Sequence, residues 1–261
     1  MDHLRLVGFD GDDTLWRSED YYRGAQDDFE RIVAHYVDLH DARVHERLYA
    51  VEKRNLALFG YGVKGMVLSM IEAAVEITEG RVTAQDLHRI VSMGKTLLQH
   101  PVELLPGIRE AVEAIGQRHD IVLITKGDLF HQEAKVKQSG LADLFRRIEI
   151  VSEKDAPTYA RVLREFDLAP SQFAMIGNSL RSDIAPVLEL GGWGVHMPYH
   201  VTWAHESEAD VAHDAPRLRT VDDARGLPAA VADIARAAGT GRKLFCMSTS
   251  SRRVTHASPA A

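Results

Sequence analysis

The chain has 261 residues, 31 Lys and Arg against 38 Asp and Glu, 45% hydrophobic content and a single cysteine. Such a composition builds a real core and excludes a wholly disordered chain. A net charge of −7 lacks the concentrated positive footprint that nucleic acid or an anionic membrane surface demands, so the expected partner is a small diffusible substrate.

Cys246 is the sole thiol, so no internal disulfide forms and no Cys-x-x-Cys pair exists; a reducing cytoplasm is the expected compartment. The opening MDHLRLVGFDGDD is charged at once and holds only a short apolar run. It reads neither as a signal peptide nor as a membrane span.

Residues 4–9 form that apolar run, too short for a stable helix, and it stops at an acidic, glycine-containing turn. This is the pattern of a buried strand ending at Asp10. Residues 16 to about 103 then turn helical. Phe29, Ile32, Val33, Tyr36 and Val37 mark one amphipathic helix, Val67, Met70, Ile71, Ala74 and Val75 a second, and Leu87, Ile90, Val91, Gly94 and Leu98 a third. Their apolar stripes need one another, so the block is expected to pack as a small all-helical cap over 16–103.

After Pro106-Gly107, Ile108, Ala111, Val112 and Ile115 recur at helical spacing, as do Tyr159, Val162, Leu163 and Phe166 after Pro157. A further helix around 184–190 closes at Gly191-Gly192. Between these lie four strand-like runs at 121–124, 148–151, 173–176 and 193–196. Five strands alternating with helices predict an α/β fold, a doubly wound parallel sheet of Rossmann-like form over 1–15 and 104–238. From Gly239 onward small polar residues and four basic side chains offer little to bury, and a disordered tail over 239–261 is expected.

In open parallel sheets ligands bind outside the carboxyl ends of the strands. The first strand ends in Asp10-Gly11-Asp12-Asp13-Thr14, and the second in Thr125-Lys126-Gly127-Asp128. The loop after the third carries Lys154, and the fourth ends in Gly177-Asn178-Ser179 with Asp183 close behind. Singly, each has a plain explanation as a turn, a helix cap or a solvated lysine. Together, at successive strand ends, they converge on one crevice.

Phe9-Asp10-Gly11-Asp12-Asp13-Thr14-Leu15 resembles motif one, DxDxT, of the haloacid dehalogenase-like hydrolase superfamily. Thr125 resembles motif two, Lys154 within Glu153-Lys154-Asp155-Ala156-Pro157 motif three, and Gly177-Asn178-Ser179-Leu180-Arg181-Ser182-Asp183 motif four. The likeness covers residues 1 to about 200, and the helical block stands where one class of the superfamily carries its cap. Two positions depart from the common pattern: Asp13 where glycine is frequent, and Asn178 where motif four often has its first acid.

The resemblance implies Asp10 as the nucleophile that forms an aspartyl-phosphate, its carboxylate favoured by a cation and Lys154. Asp12, two residues on and on the same side of an extended chain, is then the proton shuttle. Thr125 and the adjacent backbone N–H groups of Lys126 and Gly127 would bind phosphoryl oxygens, with Lys154 supplying positive charge. Asp10, the Asp12 carbonyl and Asp183 offer the hard oxygen ligands of Mg²⁺, the implied cofactor.

The implied activity is a Mg²⁺-dependent phosphatase acting on a small phosphomonoester. A phosphomutase or phosphotransferase is the enzymatic alternative, and a phospho-Asp signalling module the non-enzymatic one. Trp16, Tyr21, Arg54 and Lys64, with the glycine-flanked loop at 61–65, are the cap residues expected to approach the leaving group. The histidines at 35, 40 and 45, and those at 196 and 200, lack metal-ligand geometry and are expected to be structural.

Overall fold

The computed structural model describes residues 3–201, 203–207, 211–212 and 214–246. Its centre is a parallel sheet of β1 (Leu6–Phe9), β2 (Asp120–Lys126), β3 (Arg147–Val151), β4 (Phe173–Gly177), β5 (Trp193–His196) and β6 (Leu218–Thr220). The strands lie in the order β3-β2-β1-β4-β5-β6. Every pairing is parallel, with Phe9 aligned to Leu123 on one side and to Ile176 on the other.

Period-2 alternation explains why the sheet is buried on both faces. Val7, Phe9, Leu123 and Ile176 point to one side, against Ile108, Val112 and Ile115 of α5 (Ile108–Gly116) and Val231 and Ile234 of α10 (Leu227–Cys246). Leu6, Val122, Ile124 and Met175 point to the other, against Tyr159, Val162 and Leu163 of α7 (Ala156–Glu165). A further helix, α6 (Leu129–Ser139), follows β2.

The sequence predicts five strands and the structure has a sixth. In β6 only Leu218 is buried, so no apolar run marks it. The predicted disordered tail also begins too early, because α10 runs through Gly239 to Cys246. Ala235, Ala237 and Ala238 favour helix, and extending an existing helix is cheap compared with nucleating one. The rest of that tail lies outside the described residues.

Between β1 and α5 stand α1 (Glu19–Val33), α2 (Val44–Phe59), α3 (Val63–Ile77) and α4 (Ala84–Leu98). They enclose a separate apolar cluster around Phe29, Leu48, Met70, Ala73 and Ile90. The sequence reading has no counterpart to α2, whose buried face includes the polar Glu52 and Asn55 and so breaks the apolar stripe. No helix among the described residues is long and apolar enough to cross a membrane.

Candidate active site

The winding of the sheet reverses between β1 and β4, the topological position at which ligands bind. Asp10 leaves β1 there, its N–H donating to the Ile176 carbonyl at 2.9 Å. The chain then turns sharply around the Gly11 carbonyl, which accepts from Leu15 N at 2.8 Å. Asp13 occupies the left-handed region, φ 61°, which explains why glycine suits this position. Its carboxylate accepts from Ser18 N at 2.9 Å and Glu19 N at 3.0 Å, tying the turn to the start of α1.

Lys154, Asp10 and Asp183 meet in one buried cluster. The Lys154 ammonium donates to Asp10 Oδ1 and, at 2.7 Å, to Asp183 Oδ1. Thr14 Oγ1 donates to Asp10 Oδ2 at 3.1 Å, and Ser179 N to Asp183 Oδ2 at 3.0 Å. Gly177 makes this possible, since a Cβ there would lie 2.2 Å from Asp183 Oδ2.

The ionised Asp10 expected from the sequence presupposes a cation beside it as well as Lys154. Burial, helped by the Asp183 charge and only partly opposed by Lys154, pushes the Asp10 pKa up to about 7. Burial works against the Lys154 charge, but the two carboxylates raise its pKa above the ordinary value. A divalent cation at the cluster would draw Asp10 back toward the ionised form.

Asp12 faces a different set of partners. Gln132 Nε2 donates to its Oδ2 at 2.9 Å, while Trp16 Nε1, at 2.6 Å, and Lys135 donate to Oδ1. Burial pushes its pKa up, but Lys135 and these hydrogen bonds prevail and hold it below the ordinary value. Asp12 in the free protein is therefore an ionised base.

Thr125 is buried and faces Gly11, with Oγ1 3.1 Å from where a Gly11 Cβ would stand. Lys126 and Gly127 line the same cavity as Asp10, Asp12, Lys154 and Asp183. The Lys126 ammonium is already engaged, however, by Ser182 Oγ at 2.8 Å and Glu206 Oε1 at 2.5 Å. Glu206 also accepts from Ser179 Oγ at 2.6 Å. Burial pushes its pKa up, yet Lys126 and the serine hydroxyls bring it down to about 2.

The cavity holds about 180 Å³ between the strand ends and the helical insert. From the insert, Glu19, Tyr22, Glu52, Asn55, Tyr61 and Met66 line it. Of the four insert residues expected to approach the leaving group, only Trp16 reaches a site side chain. Tyr21 stacks on His100 with centroids 3.9 Å apart, Arg54 pairs with Glu72 at 2.6 Å, and Lys64 pairs with Asp128 at 2.9 Å. The loop at 61–65 does arrive, and Tyr61 donates to Glu153 Oε2 at 2.8 Å.

The residues present fit a hard divalent cation. The Asn178 side-chain amide lies 3.2 Å from both Asp10 Oδ2 and the Asp12 carbonyl oxygen. With its NH₂ turned inward it donates to both; with its oxygen inward, three oxygens face one another and a cation between them relieves the repulsion. Among the described residues no group of three or more His, Cys, Asp or Glu side chains is set to hold an ion. The oxygens on offer to an ion are the Asp10 and Asp183 carboxylates and neutral oxygens.

The fold is a doubly wound parallel α/β sheet with a carboxylate-rich pocket at its strand ends. Residues 4–191 match the family model for haloacid dehalogenase-like hydrolases, and the chain belongs to that family. The crystal structure of a haloacid dehalogenase-like family hydrolase from Xanthomonas campestris is 59% identical, with a TM-score of 0.83, covering 91% of this chain and 98% of the other. A 2-haloacid dehalogenase from Pseudomonas syringae is 20% identical, with a TM-score of 0.56 and coverage of 88% and 99%. A HAD-hydrolase from Bacillus subtilis bound to magnesium is 16% identical, with a TM-score of 0.60 and coverage of 88% and 99%. The last two likenesses speak to the fold alone. No curated protein matches the chain.

Lys135, Gln132, Glu206 and Glu52 escape the sequence reading. Gln132 and Lys135 follow the Thr125-Lys126-Gly127-Asp128 strand end by one and two helical turns. That spacing is the one signal that could have placed them at the same crevice.

Proposed function

We propose that the protein is a Mg²⁺-dependent phosphatase that hydrolyses a small phosphomonoester through an aspartyl-phosphate on Asp10. The observation that carries this reading is the second acid, Asp12, lining the same cavity as Asp10, Thr125, Lys154 and Asp183. A dehalogenase has no leaving alkoxide to protonate and needs no acid at that position. A phosphatase needs one twice, to give a proton to the alcohol and to take one from water.

Asp10, the Asp12 carbonyl, Asp183 and the Asn178 amide would hold Mg²⁺, which supplies charge neutralisation at phosphoryl oxygens and favours the ionised form of Asp10. Asp10 attacks phosphorus in line, Thr125 and the Lys126 and Gly127 backbone N–H groups hold the equatorial oxygens, and Lys154 contributes fixed positive charge. On substrate binding Asp12 gives up the Lys135, Gln132 and Trp16 contacts that hold it ionised, takes up a proton from solvent, passes it to the leaving oxygen, and as the carboxylate then takes one from the attacking water. The helical insert serves as the cap that excludes bulk water.

A panel of phosphomonoesters assayed for released phosphate tests the reading. Release that requires Mg²⁺ and stops on chelation is expected. Halide release from 2-haloacids without phosphate release would overturn it, and transfer of the phosphoryl group to a second hydroxyl rather than water would favour a mutase.

A further inference from the structure

Glu206 carries a carboxylate into the cavity from a segment that supplies none of the predicted site residues. It sits on α9 (Ala204–Ser207), in the connection between β5 and β6, and lines the cavity with Lys126, Ser179 and Ser182. Its Oε1 accepts from the Lys126 ammonium at 2.5 Å, and its Oε2 from Ser179 Oγ at 2.6 Å and Ser182 Oγ at 2.5 Å. Ser182 Oγ in turn accepts from Lys126 at 2.8 Å, so one cation and two hydroxyls enclose a single carboxylate. Both serines are buried, at 5% and 3% exposure.

A cation with two convergent hydroxyls is the donor set a protein offers to an anionic ligand, and here the chain itself occupies it. The occupant is anchored. Arg181 donates to the His205 carbonyl at 2.9 Å and Glu206 N to the Trp203 carbonyl at 2.9 Å. The cradle lies at the seam where the insert meets the strand ends, with Lys126 Nζ 4.0 Å from the centroid of the Tyr61 ring. Lys126 has no charge to spare, because Glu206 neutralises it and Glu153 Oε1 lies 3.4 Å away.

Resting on the phosphatase reading, we propose that Glu206 is a specificity-determining residue whose carboxylate fills this anion cradle and restricts turnover to esters with no second anionic group in the leaving group. A leaving-group carboxylate or phosphate must either expel Glu206 from its three donors or lie against it uncompensated, and both disfavour binding. Removing the Glu206 carboxylate leaves Lys126 and the two hydroxyls unmet at the cavity wall, a site that a ligand carboxylate can enter.

Two pairs of esters, assayed on the full-length enzyme with Mg²⁺, read the effect: 3-phosphoglycerate against glycerol 3-phosphate, and 4-carboxyphenyl phosphate against phenyl phosphate. In the wild type the acid of each pair is expected to have a kcat/KM about tenfold lower, carried mainly by KM. Glu206→Ala should raise the acid-to-neutral ratio about tenfold in at least one pair, and Glu206→Gln, which keeps the side-chain volume, should raise it severalfold. Each ratio is taken within one preparation and does not depend on how much of it is folded. Acetate, against chloride at equal ionic strength, should raise the thermal midpoint of Glu206→Ala but not of the wild type, and adding Lys126→Met should abolish that rise. Equal turnover of acid and neutral esters by the wild type, ratios unmoved in both variants, or no response of Glu206→Ala to acetate overturns the inference while leaving the phosphatase reading intact. Failure of the wild type to hydrolyse any of the four esters, together with p-nitrophenyl phosphate, sinks both.

Discussion

Asp10 and Lys154 form a buried ion pair shared with Asp183, so replacing one member changes chemistry and charge balance together. Asp10→Asn keeps the side-chain volume and leaves Lys154 paired to Asp183. Turnover should fall at least about 10³-fold, as expected for loss of a nucleophile, while the thermal midpoint shifts little. Asp12→Asn, which removes the proposed proton shuttle but not Asp10, should cost about 10²–10⁴-fold in kcat. Glu52 gives a stability prediction. Its folded pKa is raised from 4.5 to about 7 by burial, so the folded state binds more protons than the unfolded state between those values. Stability therefore falls as pH rises through that window. Glu52→Gln should leave stability unchanged near pH 4 and raise it by about 1–3 kcal/mol at pH 8, measured by urea unfolding at both pH values. Residues of this kind divide by legibility. Asp10, Thr125, Lys154 and Asp183 were readable because each follows an apolar run at a strand end. Glu52, Lys135 and Glu206 were not, because their roles depend on how separate elements pack.

The same division holds among the elements. β1 and β4 are fully buried runs and β2 is buried over 121–125, so all three announce themselves by hydrophobicity, whereas β6 has one buried residue in three. α1 and α4 are legible from periodic apolar positions. α2 is not, because Glu52 and Asn55 belong to its buried face and facing the cavity overrides the amphipathic pattern. Within the insert, α3 and α4 approach closely at Gly94, where a Cβ would stand 2.4 Å from Val67 Cγ2. Gly94→Ala gains helix propensity of about 1 kcal/mol but overpacks this contact, a cost of about 1–3 kcal/mol. A net loss of stability is expected in thermal unfolding, without a change in the kcat of the folded fraction.

Across the whole molecule, polar contacts tie the insert to the core at two places, around Tyr61 and Lys64 and at Asp20, which meets Tyr199 and His200. Lys64 pairs with Asp128, and Asp128 also accepts from His131 N at 3.0 Å at the start of α6. Gly60 and Gly62, with φ of 69° and 109°, flank Tyr61 and allow the chain to turn there. Lys64→Met should loosen this closure and raise KM severalfold with little effect on stability, since the pair is half-exposed. An unchanged KM would mean that the Tyr61 and Asp20 contacts hold the insert over the site without Lys64. The account as a whole rests on covalent chemistry at Asp10. Acid-quenching the enzyme during turnover of a hydrolysed phosphomonoester, followed by peptide mass analysis, tests it most directly. A phosphoryl group on the peptide containing Asp10, absent without Mg²⁺, is the result predicted; phosphate release with no phosphorylated Asp10 at any quench time would contradict it.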